Sequence, residues 1–131
     1  MFRSLAHLLV FAVIAGSLPG CEEVAEESCQ PLDEPTFVNV YNLVLEPGCA
    51  VGGSCHGGGA SAGGLDLGTL NTAYESLLNT ENVIPGSAGE SVLMMRLDSG
   101  VNAPGHMPPG QLLDEADRCM VAAWIMEGAA P

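Results

Sequence analysis

The sequence predicts a small all-α domain whose short helices are joined by long loops rich in glycine and proline. Apolar residues recur at helical spacing in several stretches, and no stretch alternates apolar and polar residues as a half-buried strand would. Seventeen glycines and nine prolines supply many positions that favour turns over regular structure. We expect the folded part to occupy residues 35–131 as one domain.

The first twenty residues have the features of a bacterial export signal. Arg3 supplies the positive end, residues 8–15 form an apolar core, and residues 18–20 (LPG) precede Cys21. The apolar core is too short to span a bilayer, which takes about 20 residues. The Leu-x-Gly-Cys ending resembles a lipoprotein signal, which implies lipidation of Cys21 and an exported chain anchored by lipid in the periplasm or on the outer face. An ordinary signal peptide that is cut nearby is the alternative.

The exported chain would be strongly acidic. Arg3 leaves with the signal, so Arg96 and Arg118 remain against sixteen Asp and Glu residues, and two minus sixteen gives a net charge of −14. So few basic side chains exclude nucleic-acid binding through phosphates. We expect the acidity to attract protein partners with a basic docking surface. Alternatively, it only keeps a small exported protein in solution.

The predicted tether and the first helix follow the signal. Residues 21–34 are acidic and poor in large apolar side chains, which is typical of a flexible tether. Thr36 is a plausible N-cap for a helix that we expect to end at residues 47–48 (Pro-Gly). The apolar residues of this helix have the spacing i, i+3, i+4 and i+7 of one helical face: Phe37, Val40, Tyr41 and Val44.

Loops and three further helices are predicted along the rest of the chain. Residues 52–64 contain seven glycines and indicate a loop, as do the prolines of residues 100–110. Residues 72–75 and 87–90 both have the S/T-x-x-E form of a capping box, which predicts a helix after each. The first should carry Tyr74, Leu77 and Leu78, and the second Leu93, Met94 and Leu97. Asp114 is the expected N-cap of the last helix, whose inner face should contain Met120, Val121, Trp124 and Ile125.

The cysteines are informative because thiols outside the cytoplasm are oxidised, metallated or attached to another group. With Cys21 set aside, four remain, which permit three disulfide pairings or one disulfide plus a pair used otherwise. We interpret Cys29 and Cys119 as a bridge that ties the tether to the last helix. Cys49 and Cys55 are left either for a second disulfide or for another role.

Cys49, Cys55 and His56 form a candidate haem site. Covalent attachment needs two thiols that reach two vinyl groups on one porphyrin edge, and a histidine beside the second thiol that meets the iron. Five residues separate the cysteines here, where the usual signature has two, and the glycines among them would let the chain bulge. Met107 is the candidate for the sixth ligand, because a thioether suits the haem iron of an electron carrier. His106 is its rival in the same loop.

The order of these motifs resembles the class I c-type cytochrome domains of exported lipoproteins of the myxobacterial and planctomycete type. The resemblance implies a cytochrome c-like helical domain around one covalent haem c, with thioether bonds to Cys49 and Cys55 and axial ligation by His56 and Met107. It also implies electron transfer between redox proteins and no enzymatic activity. The resemblance covers residues 37–129 and rests on the following motifs: Cys55-His56, GGLDL at 63–67, Ala73-Tyr74 with Leu77, VIPG at 83–86 with Ser91 and Leu93, HMPPG at 106–110, and WIMEGA at 124–129.

A haem would also help to fill the interior of this chain. A domain of this size buries a limited core, and the exported part holds few aromatic side chains. We therefore expect Tyr41, Leu67 and Trp124 to pack around the porphyrin.

Two other interpretations of the cysteines stay open at this point. In the first, the protein is a haem-free lipoprotein whose four cysteines make two disulfides, and it acts as a structural or interaction module. In the second, Cys49, Cys55, His56 and Met107 form a site for a soft metal, copper above all.

Overall fold

The structure, a computed structural model, describes residues 29–52 and 55–131, and these residues form helices and no strand. The predicted signal and Cys21 lie outside the described residues, and the predicted tether is described only from Cys29. Over the described ranges the predicted all-α fold is confirmed. The helices are α1 (three consecutive segments, Phe37–Asn39, Val40–Leu45 and Glu46–Gly48), α2 (Leu70–Asn79), α3 (Val92–Asp98) and α4 (Glu115–Met126), with short 3-10 turns at Ala62–Gly64 and Ala88–Glu90.

Helix α1 begins and ends at the predicted residues. The Oγ1 atom of Thr36 accepts the backbone N–H of Asn39 at 3.3 Å, and the helix ends at Gly48. The central segment is π-helical, a wider turn that the apolar spacing did not indicate. Beyond its end, the carbonyl oxygen of Leu45 accepts the N–H groups of Cys49 and Ala50 at 2.8 and 2.9 Å. These bonds hold Cys49 directly against the end of α1. All four residues of the predicted apolar face are buried, together with Leu45.

Helix α2 begins at Leu70, two residues before the predicted capping box, so the prediction that Thr72 caps it is wrong. Thr69 is the N-cap: its Oγ1 atom accepts the N–H of Thr72 at 3.2 Å, and the Oγ1 atom of Thr72 accepts the N–H of Thr69 at 3.0 Å. The hydroxyl of Thr72 thus takes the role that a glutamate or glutamine has in the usual capping box.

The start predicted for α3 is also wrong, although the helix itself is present. The Oγ atom of Ser87 donates to Glu90 at 2.8 Å, but this pair closes a 3-10 turn. The helix starts after Ser91, a fully buried residue whose Oγ atom donates to the carbonyl oxygen of Ser87 and accepts the N–H of Ile84. Because its hydroxyl is satisfied within this turn, Ser91 can be buried at the helix start. The apolar residues predicted for α3 are buried: Leu93, Met94 and Leu97.

Helix α4 has the predicted cap and the predicted inner face. The Oδ1 atom of Asp114 accepts the N–H of Ala116 at 3.2 Å, and the four residues predicted for the inner face are buried. Cys119 on this helix is joined to Cys29 in a disulfide, the pairing that the sequence analysis expects. The disulfide fastens the start of the described chain to its last helix.

The core is centred on an aromatic cluster between α1, α2 and α4. The ring of Phe37 lies 5.0 Å from that of Trp124 and 5.1 Å from that of Tyr74, between centroids. The indole N–H of Trp124 donates to the carbonyl oxygen of Ala130 at 2.8 Å, which satisfies its one polar atom inside the core. No helix within the described ranges is long and apolar enough to cross a bilayer.

Candidate functional site

One cavity of about 340 Å³ brings together three of the residues predicted to hold haem. Cys49 reaches it from the end of α1, His56 from the glycine-rich loop and Met107 from the proline-rich loop. Cys55 is exposed and does not line the cavity. Most of the wall is apolar, with large side chains from three separate segments: Leu45, Leu65, Leu67, Val92, Leu93 and Leu97.

The ring of His56 is oriented by the backbone of the same loop. Its Nδ1 atom lies 3.3 Å from the carbonyl oxygen of Leu65. The tautomer that donates this bond leaves a lone pair on Nε2, the arrangement found in histidines that bind metals. The backbone of His56 is held as well, since its N–H donates to Cys49 at 3.2 Å and its carbonyl accepts the N–H of Leu67 at 2.6 Å. The imidazole is therefore fixed at the edge of the cavity.

Met107 reaches the cavity from a loop that is tied to α3. Its backbone N–H donates to the carbonyl oxygen of Arg96 at 3.0 Å. Two residues earlier, Gly105 has a φ of 79°, a left-handed conformation that favours glycine. The side chain of Met107 is half-buried and packs against the core. The thioether thus lies at the cavity without help from a helix.

His106, the rival ligand, is occupied elsewhere. Its side chain is 4% exposed, with Nδ1 3.2 Å from the hydroxyl of Ser99 and Nε2 2.7 Å from the carbonyl oxygen of Gln111. Both ring nitrogens therefore have partners within the protein, and the residue does not line the cavity. Of the two neighbours, the structure places Met107 at the cavity.

The thiols of Cys49 and Cys55 are free, whereas Cys29 and Cys119 are bonded. Among the described cysteines there is thus one disulfide and one unbonded pair. Burial raises the pKa of the Cys49 thiol to about 11, and the neighbouring Cys55 adds to the shift. Cys49 is accordingly a protonated thiol in the cavity wall at neutral pH.

Residues 53–111 match the family described as Planctomycete cytochrome C. This match supports a c-type cytochrome-like domain of the planctomycete type. The resemblance inferred from the sequence motifs is thereby confirmed at the level of the domain. The matched range contains Cys55, His56 and Met107 and begins after Cys49. No curated protein and no solved structure matches this chain.

The interior of the cytochrome-like domain differs from the expectation for Trp124 and Tyr41. Neither side chain lines the cavity, whereas Leu67 does. Trp124 packs on Phe37 in the aromatic cluster, and the hydroxyl of Tyr41 donates to the carbonyl oxygen of Leu67 at 3.4 Å, behind the wall. The expectation was wrong because these aromatic residues form a core of their own beside the cavity.

The cytochrome-like domain does not bring Cys49, Cys55 and His56 around one point. Within residues 29–52 and 55–131, no three His, Cys, Asp or Glu side chains are grouped so that they could hold a metal ion. A haem needs less from the chain, because its iron takes four ligands from the porphyrin and only two from the protein.

Arg96 is a cavity residue of the cytochrome-like domain that the sequence analysis missed. It lines the cavity from the last turn of α3, and its Nη1 atom donates to the carbonyl oxygen of Gly105 at 3.2 Å. The scarcity of basic residues in the exported chain was the available signal. The scarcity of basic residues does not predict that Arg96 lines the cavity, because it does not indicate which side of α3 contacts the proline-rich loop.

Proposed function

We propose that this chain is a membrane-anchored monohaem c-type cytochrome that carries single electrons outside the cytoplasm and is not an enzyme. The observation that carries the proposal is the meeting of Cys49, His56 and Met107 on one largely apolar cavity. A thiol, an imidazole and a thioether from three separate segments are the groups that attach a haem and complete its iron coordination.

The residues of the cavity fit such a cofactor. His56 and Met107 would bind the haem iron, and Cys49 and Cys55 would hold the haem covalently. Attachment through Cys55 requires its exposed thiol to turn towards the cavity. A bound haem supplies the one-electron chemistry. The chain itself orients the imidazole through Leu65, supplies the thioether and keeps water from the porphyrin faces with its leucine and valine side chains.

The anchor and the partners are inferred from the sequence. The proposed lipid on Cys21 would hold the domain at a membrane, since each buried methylene contributes about 0.8 kcal/mol. The net charge of −14 calculated for the exported chain favours redox partners with a basic docking surface. Electron transfer to such a partner should slow as salt is added.

An absorption spectrum of the exported protein tests the proposal. The full chain would be made in a host with haem-ligation machinery, beside the variants Cys49→Ser and Cys55→Ser. We expect a sharp Soret band that survives acid–acetone extraction in the wild type. Each variant loses one thioether bond, which should shift the reduced α-band to longer wavelength. A colourless wild-type protein without free thiols would instead establish the haem-free lipoprotein with two disulfides.

A further variant tests the anchor. Cys21→Ser should move the protein from the membrane fraction to the soluble fraction without changing the haem spectrum. Ser28→Ala is the matched control, because it changes a residue close in the sequence without touching the proposed lipid site or the disulfide. Persistence of Cys21→Ser in the membrane fraction would contradict lipid anchoring at this residue.

A further inference from the structure

Arg96 is the cation of the cavity. The chain holds three basic residues besides its histidines, and Arg3 lies outside the described ranges. Arg118 is paired with Asp98 at 3.2 Å. Arg96, in contrast, has no carboxylate within ion-pair distance among the described residues, although the chain carries sixteen acidic side chains. Arg96 is an exposed residue, so an anionic group bound at the cavity can reach its guanidinium.

Two contacts tie Arg96 to the loop that carries Met107. Its backbone oxygen accepts the N–H of Met107 at 3.0 Å, and its Nη1 atom donates to Gly105 at 3.2 Å. The guanidinium lies so close to this loop that a Cβ atom added at Gly105 would collide with it. A guanidinium has five N–H donors, and one of them is used here. The structure shows no other hydrogen bond from this guanidinium to the described residues.

We propose that Arg96 binds a carboxylate of the molecule that occupies the cavity, namely a propionate of haem. This inference rests on the proposed function. The propionates are the anionic substituents of haem, and the forked donors of arginine match a carboxylate. Bound in this way, the guanidinium joins the edge of the cofactor to the loop of the methionine ligand. It also offsets part of the repulsion between the propionates and the acidic chain.

The first experiment compares haem with its dimethyl ester, which has no anionic propionate. The full chain is made without haem-ligation machinery and titrated with iron protoporphyrin or with the ester. The quantity measured is the ratio of the two dissociation constants, ester over acid. For Arg96→Gln we expect this ratio to fall about fivefold, which corresponds to about 1 kcal/mol and to the upper range for an exposed ion pair. Arg118→Gln is the matched control and should keep the wild-type ratio.

The second experiment uses the exported protein with its haem. A positive charge near the iron favours the reduced state, so the midpoint potential of Arg96→Gln should lie below that of the wild type. Arg96→Lys should restore most of the potential but less of the ester discrimination, because an ammonium lacks the forked donors. Arg118→Gln should leave the midpoint potential unchanged.

The outcomes separate this inference from the proposed function. An unchanged ester-to-acid ratio in Arg96→Gln, with haem still bound, overturns the role of Arg96 and leaves the cytochrome assignment standing. Failure of both porphyrins to bind, with no Soret band in the exported protein, overturns the proposed function itself. If Arg96→Gln does not fold, Arg96→Lys decides: its ester-to-acid ratio must fall below that of the wild type, and an unchanged ratio rejects the forked contact with the carboxylate.

Discussion

The Nδ1 atom of His56 lies 3.3 Å from the carbonyl oxygen of Leu65, so the two sides of the glycine-rich loop meet at the imidazole. A second hydrogen bond across this loop joins the carbonyl oxygen of His56 to the N–H of Leu67 at 2.6 Å. The loop thus wraps around the histidine, and its backbone determines which ring nitrogen can face the cavity. Such a hydrogen bond fixes the ring of a metal-binding histidine and raises its basicity.

Replacement of Met107 by alanine tests the sixth ligand. In the exported protein, Met107→Ala should leave haem attached and abolish the sulfur-to-iron absorption band, because the thioether is removed without change to the thiols or to His56. Met95→Ala is the matched control, since Met95 is exposed on α3 and does not line the cavity. A band that persists in Met107→Ala would show that another residue supplies the ligand.

His106→Ala should destabilise the protein and keep the sulfur-to-iron band. The substitution leaves the carbonyl oxygen of Gln111 without its side-chain partner and removes one of the two partners of the Ser99 hydroxyl, which should lower the free energy of unfolding by about 1–3 kcal/mol. Denaturant titration followed by circular dichroism measures the loss. Ser99→Ala removes the contact with His106 and the bond that Ser99 donates to Arg96, but it leaves the contact between His106 and Gln111 in place. Loss of the band in a folded His106→Ala protein would identify His106 as the ligand.

The buried thiol of Cys49 predicts a dependence on pH in the haem-free chain. Burial raises its pKa from 9.0 to about 11, so the folded chain keeps this proton to higher pH than the unfolded chain does. The difference between the two pKa values stabilises the folded chain while Cys49 is protonated. This stabilisation is complete below pH 9 and is lost as the pH rises from about 9 to about 11. The pKa of Cys49 can be measured directly from its alkylation rate at different pH values, with the modified cysteine identified by peptide mapping.

The alkylation rate of Cys49 should rise about tenfold per pH unit up to about pH 11, because the thiolate is the nucleophile. The exposed Cys55 serves as the internal reference in the same samples. A rate at Cys49 that levels off near pH 9 would contradict the burial of its thiol.

The sequence predicts the helices well because their buried faces follow simple spacing. The apolar positions of α1 and α4 are all buried, and the caps at Thr36 and Asp114 are those expected. The errors at α2 and α3 concern helix starts, where a hydroxyl replaces a carboxylate or a short turn precedes the helix. Such choices depend on local hydrogen bonds that the S/T-x-x-E spacing does not specify.

The site is predicted less completely because it depends on contacts between distant segments. Motif order led to His56 and Met107, and these residues do meet at one cavity. The place of Arg96 depends on where the proline-rich loop crosses α3, and the packing of Trp124 depends on Phe37. Neither contact leaves a periodic signal in the sequence.

Cys119→Ser tests the disulfide. The bridge joins residues that are 90 positions apart, so its loss should lower the free energy of unfolding by about 4 kcal/mol in the chain-entropy model. Denaturant titration with and without a reducing agent measures this. Cys29→Ser should show the same loss, and the reductant should then have no further effect on either variant. Full stability of Cys119→Ser would mean that the bridge contributes little in solution.

Gly57→Ala tests how closely the loop beside His56 must approach Ala50, just beyond the end of α1. A Cβ atom at Gly57 would collide with the carbonyl oxygen of Ala50 and lie 2.9 Å from its carbonyl carbon. Because the obstacle is backbone, it cannot move aside as a side chain does. The loop should therefore shift, with a loss of about 1–3 kcal/mol in the free energy of unfolding and less haem per chain.

The matched control for Gly57→Ala is Gly89→Ala, where an added Cβ atom meets no heavy atom within 4 Å. Gly89→Ala should keep both the stability and the haem content of the wild type. Haem content follows from the ratio of the Soret absorbance to protein concentration in exported samples. If Gly57→Ala matched the wild type in both quantities, the close approach of the loop to Ala50 would not be what positions His56. The imidazole would then depend on its contact with Leu65 and on the backbone bonds of His56 to Cys49 and Leu67.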